Sequence, residues 1–187
     1  MSARTLTEGG SDSPHGEKRP AATAAAPAIV IRDIHRPDRP ALDRLVRGIE
    51  LFSEAEKAIA MEVIDAYLSD PGKDYHALGA FTPRGTLLGY TCYGPTPCTS
   101  GTWDLYWIAV SGEARGRGIG TLLMEEVEGK LVHHDARLLL IETSSRADYA
   151  PTRGFYERRG YAVVARVQDF YDVGDDRLIF ARTMNRV

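Results

Sequence analysis

The chain has 187 residues, 43% hydrophobic and 26% charged, with a net charge of −3. That length sets one domain with a proper core, and that charge gives no general pull toward nucleic acid or an anionic membrane. No run approaches the ~18 apolar residues of a membrane span. Cys92 and Cys98 are six apart, so a disulfide is conceivable, but two free thiols in a reducing cytoplasm are the expectation; they lack the spacing and histidine partners of a zinc site.

Residues 1–27 hold no aromatic residue and few large apolar ones, and are rich in Ala, Ser, Gly and Pro. Such a segment cannot offset its ordering entropy, so a disordered leader is expected there. Ala21 to Ala26 is too short and too weakly apolar for a signal-peptide core. Residues 28–187 form the expected single domain. Ala28 to Ile34 is rich in β-branched residues and reads as a first strand. Pro37 to Pro40 starts a helix with Leu42, Leu45, Val46 and Ile49 at helical spacing. Ser53 and Glu56 form a capping box for a second helix through Ile59, Val63, Ile64, Tyr67 and Leu68, stopped by Asp70-Pro71-Gly72. Tyr75 to Phe81 and Thr86 to Tyr93 are two strands around a turn at Thr82 to Gly85. Thr102 to Val110 is a further strand after the Gly94-to-Gly101 loop.

A glycine-rich turn follows, then a helix over about Ile119 to His133 with Leu122, Leu123, Val127 and Leu131 on its apolar face. His133-His134 suit the negative end of that helix dipole and carry no metal-site spacing. Arg137 to Thr143 is a nearly continuous apolar run, as in a buried parallel strand. A short helix over about Pro151 to Arg159 stops at Gly160. Tyr161 to Phe170 and Arg177 to Thr183 are the last strands, joined by Tyr171 to Asp176.

The turn Arg115-Gly116-Arg117-Gly118-Ile119-Gly120-Thr121 is the most informative segment. Between a strand and a helix N-terminus, its N–H groups and the helix dipole make an anion cradle, and its glycines let a phosphate approach the backbone. The dinucleotide pattern G-x-G-x-x-G fails at Thr121, and the phosphate loop G-x-x-x-x-G-K-[ST] lacks its lysine. The pattern that fits is R-x-x-G-x-G, read at Arg115, Gly118 and Gly120.

This resembles the acyl-CoA loop of the GNAT superfamily, the Gcn5-related N-acetyltransferases. The preceding strand Trp103 to Val110 and the segment Gly154-Phe155-Tyr156-Glu157-Arg158-Arg159-Gly160-Tyr161, similar to the family's F-Y-E-x-x-G-F helix end, carry the resemblance further. It implies an α/β (α+β) fold with a mixed, mostly antiparallel central sheet and a splayed parallel strand pair, in the order β-α-α-β-β-β-α-β-α-β-β. It also implies acetyl-CoA as cosubstrate and no metal. Ile108, Ala109 and Val110 would offer backbone groups to the pantetheine arm, and Arg115 to Thr121 would take the pyrophosphate. The oxyanion donor would be the N–H near Ile108 or Ala109. Tyr156 matches the tyrosine that serves the leaving thiolate. The family often has Asn seven residues earlier; here that position is Tyr149.

Three candidates stand for the base. Asp104 lies eleven residues before Arg115, the offset some family members use for their catalytic carboxylate. Glu142 lies on the neighbouring strand, and a water chain is the third. The acceptor cleft should lie between the first two helices and the last hairpin. Phe52, Tyr67, Tyr106, Phe170 and Tyr171 are aromatic candidates there, and Asp169, Asp172, Asp175 and Asp176 acidic ones. The leading expectation is acetyl transfer to a primary amine of a small molecule, in the cytoplasm, without nucleic acid or membrane and with a homodimer allowed. A protein or peptide acceptor is the second reading, and a non-catalytic acyl-CoA sensor the third.

Overall fold

The computed structural model describes residues 28–184; the expected leader, residues 1–27, lies outside them. Seven strands form one sheet: β1 (Val30–Asp33), β2 (His76–Phe81), β3 (Leu87–Pro95), β4 (Thr102–Val110), β5 (Leu138–Ser144), β6 (Ala162–Asp172) and β7 (Asp175–Thr183). Their spatial order is β1-β2-β3-β4-β5-β7-β6, and every pairing is antiparallel except β4 with β5. Four helices accompany them: α1 (Arg39–Arg47), α2 (Glu54–Ser69), α3 (Ile119–His133) and α4 (Ala150–Arg158). The expected order of elements is the observed one.

The capping box forms as read. The Ser53 hydroxyl accepts from the Glu56 N–H at 3.2 Å, and the Ser53 N–H donates to the Glu56 carboxylate at 2.8 Å. The α2 helix is then pinned to the sheet by the Tyr67 hydroxyl, which donates to the Ile34 carbonyl at 3.0 Å. Tyr67 is therefore a core residue rather than part of an acceptor cleft.

The sheet separates two cores. On one face Leu123, Met124, Val127 and Leu131 of α3 and Tyr156 of α4 pack with Leu105, Leu139, Ile141 and Phe180. On the other, Leu42 and Val46 of α1 and Ile64 and Leu68 of α2 pack with Tyr90, Cys92 and Ala109. The α1 and α2 helices sit on β2, β3 and β4. Beyond β4, on that face, Glu142 is exposed and Leu140, Arg177 and Ile179 are partly so.

Two expectations need correction. Leu122 is not on the buried face of α3; it is 37% exposed, and Met124 is fully buried instead. At 3.6 residues per turn, five residues from Leu122 to Val127 rotate the side chain well away from the buried stripe. The last connection is also shorter than Tyr171 to Asp176. The β6 strand runs to Asp172, and pairing resumes at Asp172 opposite Asp175 across a Val173-Gly174 turn. An irregularity between Val167 and Asp172 allows this. Asp169 takes a φ of +50°, and its N–H is held by the Asp176 carboxylate at 2.9 Å.

His76 on β2 stacks on Tyr93 with ring centroids 5.2 Å apart, and the His134 ring lies 5.5 Å away. Burial lowers its pKa, and His134 and then Lys130 add to this against Asp33. A histidine depressed in the folded state stays neutral there but protonates on unfolding. The stability it supports is present above the ordinary value near 6.5 and is lost as pH falls through and below it. Melting temperatures between pH 7.5 and 5.0 should therefore fall less for His76→Phe than for the native chain. An identical fall in both would contradict this.

Candidate active site

The turn after β4 has the geometry of an anion cradle. Gly116 has φ of +73° and Gly118 of +77°, values that favour glycine, and Gly118 is the N-cap of α3 with no side chain capping the helix. A Cβ built on either glycine meets no protein atom within 4 Å, so both open onto free space above the turn. The first α3 backbone contact in this region is Leu122 N–H to Gly118 carbonyl at 3.0 Å. The N–H groups of Gly116, Gly118, Ile119, Gly120 and Thr121 have no backbone acceptor among the described residues. A helix start in this state attracts an anion. Arg115 and Arg117 are exposed and form no ion pair among the described residues. Such a turn could hold an anionic group such as a diphosphate.

Beside it the sheet opens. Parallel pairing of β4 with β5 runs from Thr102 opposite Leu138 to Leu105 opposite Ile141 and stops. At this level β4 carries an extra residue, Tyr106, because Cys92 faces Trp107 while Tyr93 faces Leu105. Ser111 donates to Leu88 of β3 at 2.8 Å. Alternation then turns the main-chain groups of Ile108 and Val110 into the gap, where an extended ligand could pair with them. Ala109 turns to β3 opposite Tyr90, and its side chain is buried in the α1–α2 core. Of the three residues expected to offer backbone groups, Ile108 and Val110 face the gap and Ala109 faces β3.

Tyr156 comes to this place from α4. The middle of that helix lies against the cradle, since a Cβ on Gly120 would lie 3.5 Å from the Phe155 ring. The Tyr156 ring is 3% exposed, packed between Phe155, Tyr161 and Phe180 with centroids 5.5, 6.2 and 5.8 Å away. Burial raises its pKa far above neutral, so the hydroxyl is a donor across the physiological range. No described residue accepts from that hydroxyl.

The carboxylate candidates lie on the opposite face. Asp104 is half-buried in the paired part of β4, opposite Leu140, and accepts a hydrogen bond from the Thr96 hydroxyl at 2.6 Å. Tyr106 beside it is pushed up to about 12, by burial first and Asp104 next. Glu142 stands one residue past the last β4–β5 pair, on the same face as Asp104, with its carboxylate bound by the Arg177 guanidinium. Arg177 lies 4.8 Å above the Phe170 ring, which meets Tyr171 edge-on at 4.9 Å. Tyr171 is raised by burial, then by Glu142, with Asp175 and Glu56 adding. Phe52 packs edge-on against Trp107 at 5.1 Å, and Tyr106 against Tyr75 at 5.4 Å.

Tyr149 immediately precedes α4, with the Arg146 guanidinium 5.5 Å from its ring centre. Its hydroxyl is pushed up to about 12, by burial first and Glu56 next. Asp175 and Asp176 are not free acids of a cleft rim. Asp175 accepts from the Ser144 hydroxyl at 2.5 Å, and the buried Asp176 binds Arg166. Sequence reasoning missed Glu56, Trp107 and Arg177. Trp107 carried no signal in the sequence, because only the bulge at Tyr106 turns it to the α1–α2 face. A cavity of about 400 Å³ lies at the far end of α3, by His76 and His134, away from the cradle.

The sequence matches the family model of the GNAT acetyltransferases over residues 31–161. The chain belongs to the GNAT family. A GNAT-family protein from Desulfovibrio desulfuricans is 38% identical, aligns over 84% of this chain and 100% of its own, and superposes with a TM-score of 0.81. The ribosomal-protein-S18-alanine N-acetyltransferase of Escherichia coli shares the GNAT fold at 21% identity, over 86% of this chain and 96% of its own, with a TM-score of 0.68. An aminoglycoside 6′-N-acetyltransferase complexed with coenzyme A does so at 18% identity, over 83% and 97%, with a TM-score of 0.66. No curated protein matches the chain significantly in sequence. This GNAT protein is an acetyltransferase by family. None of its described helices is long and apolar enough to cross a membrane.

Proposed function

We propose that the protein transfers the acetyl group of acetyl-CoA to a primary amine of a small molecule by direct attack. What supports this is three neighbouring features: the free N–H groups of Gly116 and of Gly118 to Thr121, the unpaired edge at Ile108 and Val110, and Tyr156, whose neighbour Phe155 lies against Gly120. The coenzyme A complex of the aminoglycoside acetyltransferase, which has the same fold, supports the choice of ligand.

The residues divide the work by position. The turn holds the diphosphate, and the β4 edge aligns the arm. The Ile108 N–H faces the gap and can donate to the carbonyl oxygen as it gains charge. An amine near pKa 10 is mostly protonated at neutral pH and attacks only after losing a proton. Asp104 is the proposed base, with one carboxylate oxygen on Thr96 and the other free. Glu142 is the competitor; its engagement by Arg177 favours a binding role. As the carbon–sulfur bond breaks, Tyr156 gives its proton to the thiolate and recovers one from solvent.

The cleft walls support a small cationic acceptor. Phe52 packs on Trp107, Tyr106 feels the Asp104 charge, and Phe170 and Tyr171 stand by the Arg177–Glu142 pair; aromatic faces with carboxylates attract ammonium groups. Thiol release from acetyl-CoA over a panel of polyamines, amino acids and peptides tests the reading. Release with small amines is expected, and Asp104→Asn should slow it at least about tenfold. Release with peptides alone, or with no acceptor at all, would overturn it.

A further inference from the structure

The Asp104 carboxylate has one hydrogen-bond partner among the described residues, the Thr96 hydroxyl at 2.6 Å. The residues directly opposite it offer no polar side chain: Leu140 on β5 and Gly94 on β3. A Cβ on Gly94 would collide with the Asp74 carbonyl, so that place is kept for glycine. The donor comes instead from the loop that joins β3 to β4. Thr96 stands there between Pro95 and Pro97. A residue before proline is confined to extended backbone, so few conformations are open to Thr96 even before the loop folds. The loop then fixes it from both sides. Its N–H donates to the Thr102 carbonyl at 2.9 Å, and its own carbonyl accepts from the Thr99 hydroxyl at 2.8 Å. Arg137, just before β5, holds the far end by donating to the Ser100 carbonyl at 2.6 Å. Connecting loops are usually the mobile parts of a domain; this one is tied at Thr96, Thr99 and Ser100.

We propose that Thr96 is the positioning residue of the base, anchoring Asp104 Oδ2 so that Oδ1 is presented to the acceptor amine. The inference rests on the reading of Asp104 as that base. An untethered aspartate carboxylate swings about its last bond, whose energy wells are broad. The oxygen that must take the proton is then in place only part of the time. Donation from a hydroxyl whose backbone is fixed removes that freedom, because a short bond to a charged oxygen is lost on rotation. Thr96 has one hydroxyl proton, and Oδ2 takes its hydrogen bond. The proton leaving the acceptor ammonium goes to Oδ1 and from there to water, while Thr96 keeps its own. Misplacing a reacting group by about 1 Å can cost about a hundredfold in rate, which is the reason for such an anchor.

Thiol release from acetyl-CoA, with the panel amine that the native chain acetylates fastest, tests this in Thr96→Val, Thr96→Ser, Asp104→Asn and the double variant Thr96→Val, Asp104→Asn. Valine keeps the shape and the Cβ branch but has no hydroxyl; serine keeps the hydroxyl. Thr96→Val should lower kcat about tenfold with the KM for acetyl-CoA unchanged, and Thr96→Ser should stay within about twofold of the native rate. Added to Asp104→Asn, Thr96→Val should have no further effect, because the hydroxyl acts only through that carboxylate. Normal turnover in Thr96→Val beside a slow Asp104→Asn would overturn this inference and leave the base in place. A loss from Thr96→Val that is as large in the Asp104→Asn background as alone would also overturn it, since that marks a general effect of the loop. A native rate in Asp104→Asn, or no release by the native chain with any amine, would remove the base reading and this inference together.

Discussion

Replacing Tyr156 by Phe should lower kcat about a hundredfold and leave both the fold and coenzyme A affinity unchanged. The hydroxyl has no acceptor among the described residues, so its removal breaks no native hydrogen bond. The ring, which fills the space between Phe155, Tyr161 and Phe180, stays in place. Removal of the hydroxyl leaves no native partner unsatisfied, so the cost to stability should be small. A merely structural tyrosine would give the reverse pattern, with a lowered melting temperature and normal turnover. The expected loss follows from proton donation, which contributes roughly 10²–10⁴-fold when the donor is well placed. Steady-state rates with a saturating amine, alongside thermal melts, separate the two outcomes.

Gly118→Asp should weaken coenzyme A binding about a hundredfold while the protein stays folded. Aspartate is among the residues that tolerate a left-handed backbone, and the Gly118 φ is +77°. It is also a preferred N-cap, and α3 has no side-chain cap of its own. The new carboxylate meets open space, the same space a diphosphate oxygen needs. It would take up the free N–H groups of α3 and repel the ligand. Loss of two charge-assisted hydrogen bonds at about 1.5 kcal/mol each is near the 2.8 kcal/mol of a hundredfold change. Arg117→Ala should cost less than about tenfold, since an exposed charge pair contributes about 0–1 kcal/mol. If Arg117→Ala were the more damaging of the two, side-chain charge rather than the main chain would hold the diphosphate.

What could be read in the sequence was local. The Ser53–Glu56 box, the turn from Arg115 to Thr121 and the Tyr156 segment each lie within a few residues, so spacing alone identifies them. Element order followed from the same punctuation. What escaped reading depends on residues far apart in the chain. Arg177 meets Glu142 across 35 positions, and nothing around either signals the pair. Glu56 belongs to a capping box by sequence, yet its charge also raises the Tyr149 and Tyr171 hydroxyls. The bulge at Tyr106 leaves no mark in the alternation of β4 until its register with β3 is known. Leu122 shows the reverse error, an apolar residue assigned to the core by type although its angle around α3 points it outward.

Isothermal titration of the purified chain with coenzyme A, set against pantetheine, tests the grip of the turn on a diphosphate. One molecule of coenzyme A should bind per chain, and pantetheine, which lacks the diphosphate, should bind at least about a hundredfold more weakly. No binding of coenzyme A, or equal affinity for the two ligands, would contradict the assignment of the Arg115-to-Thr121 turn.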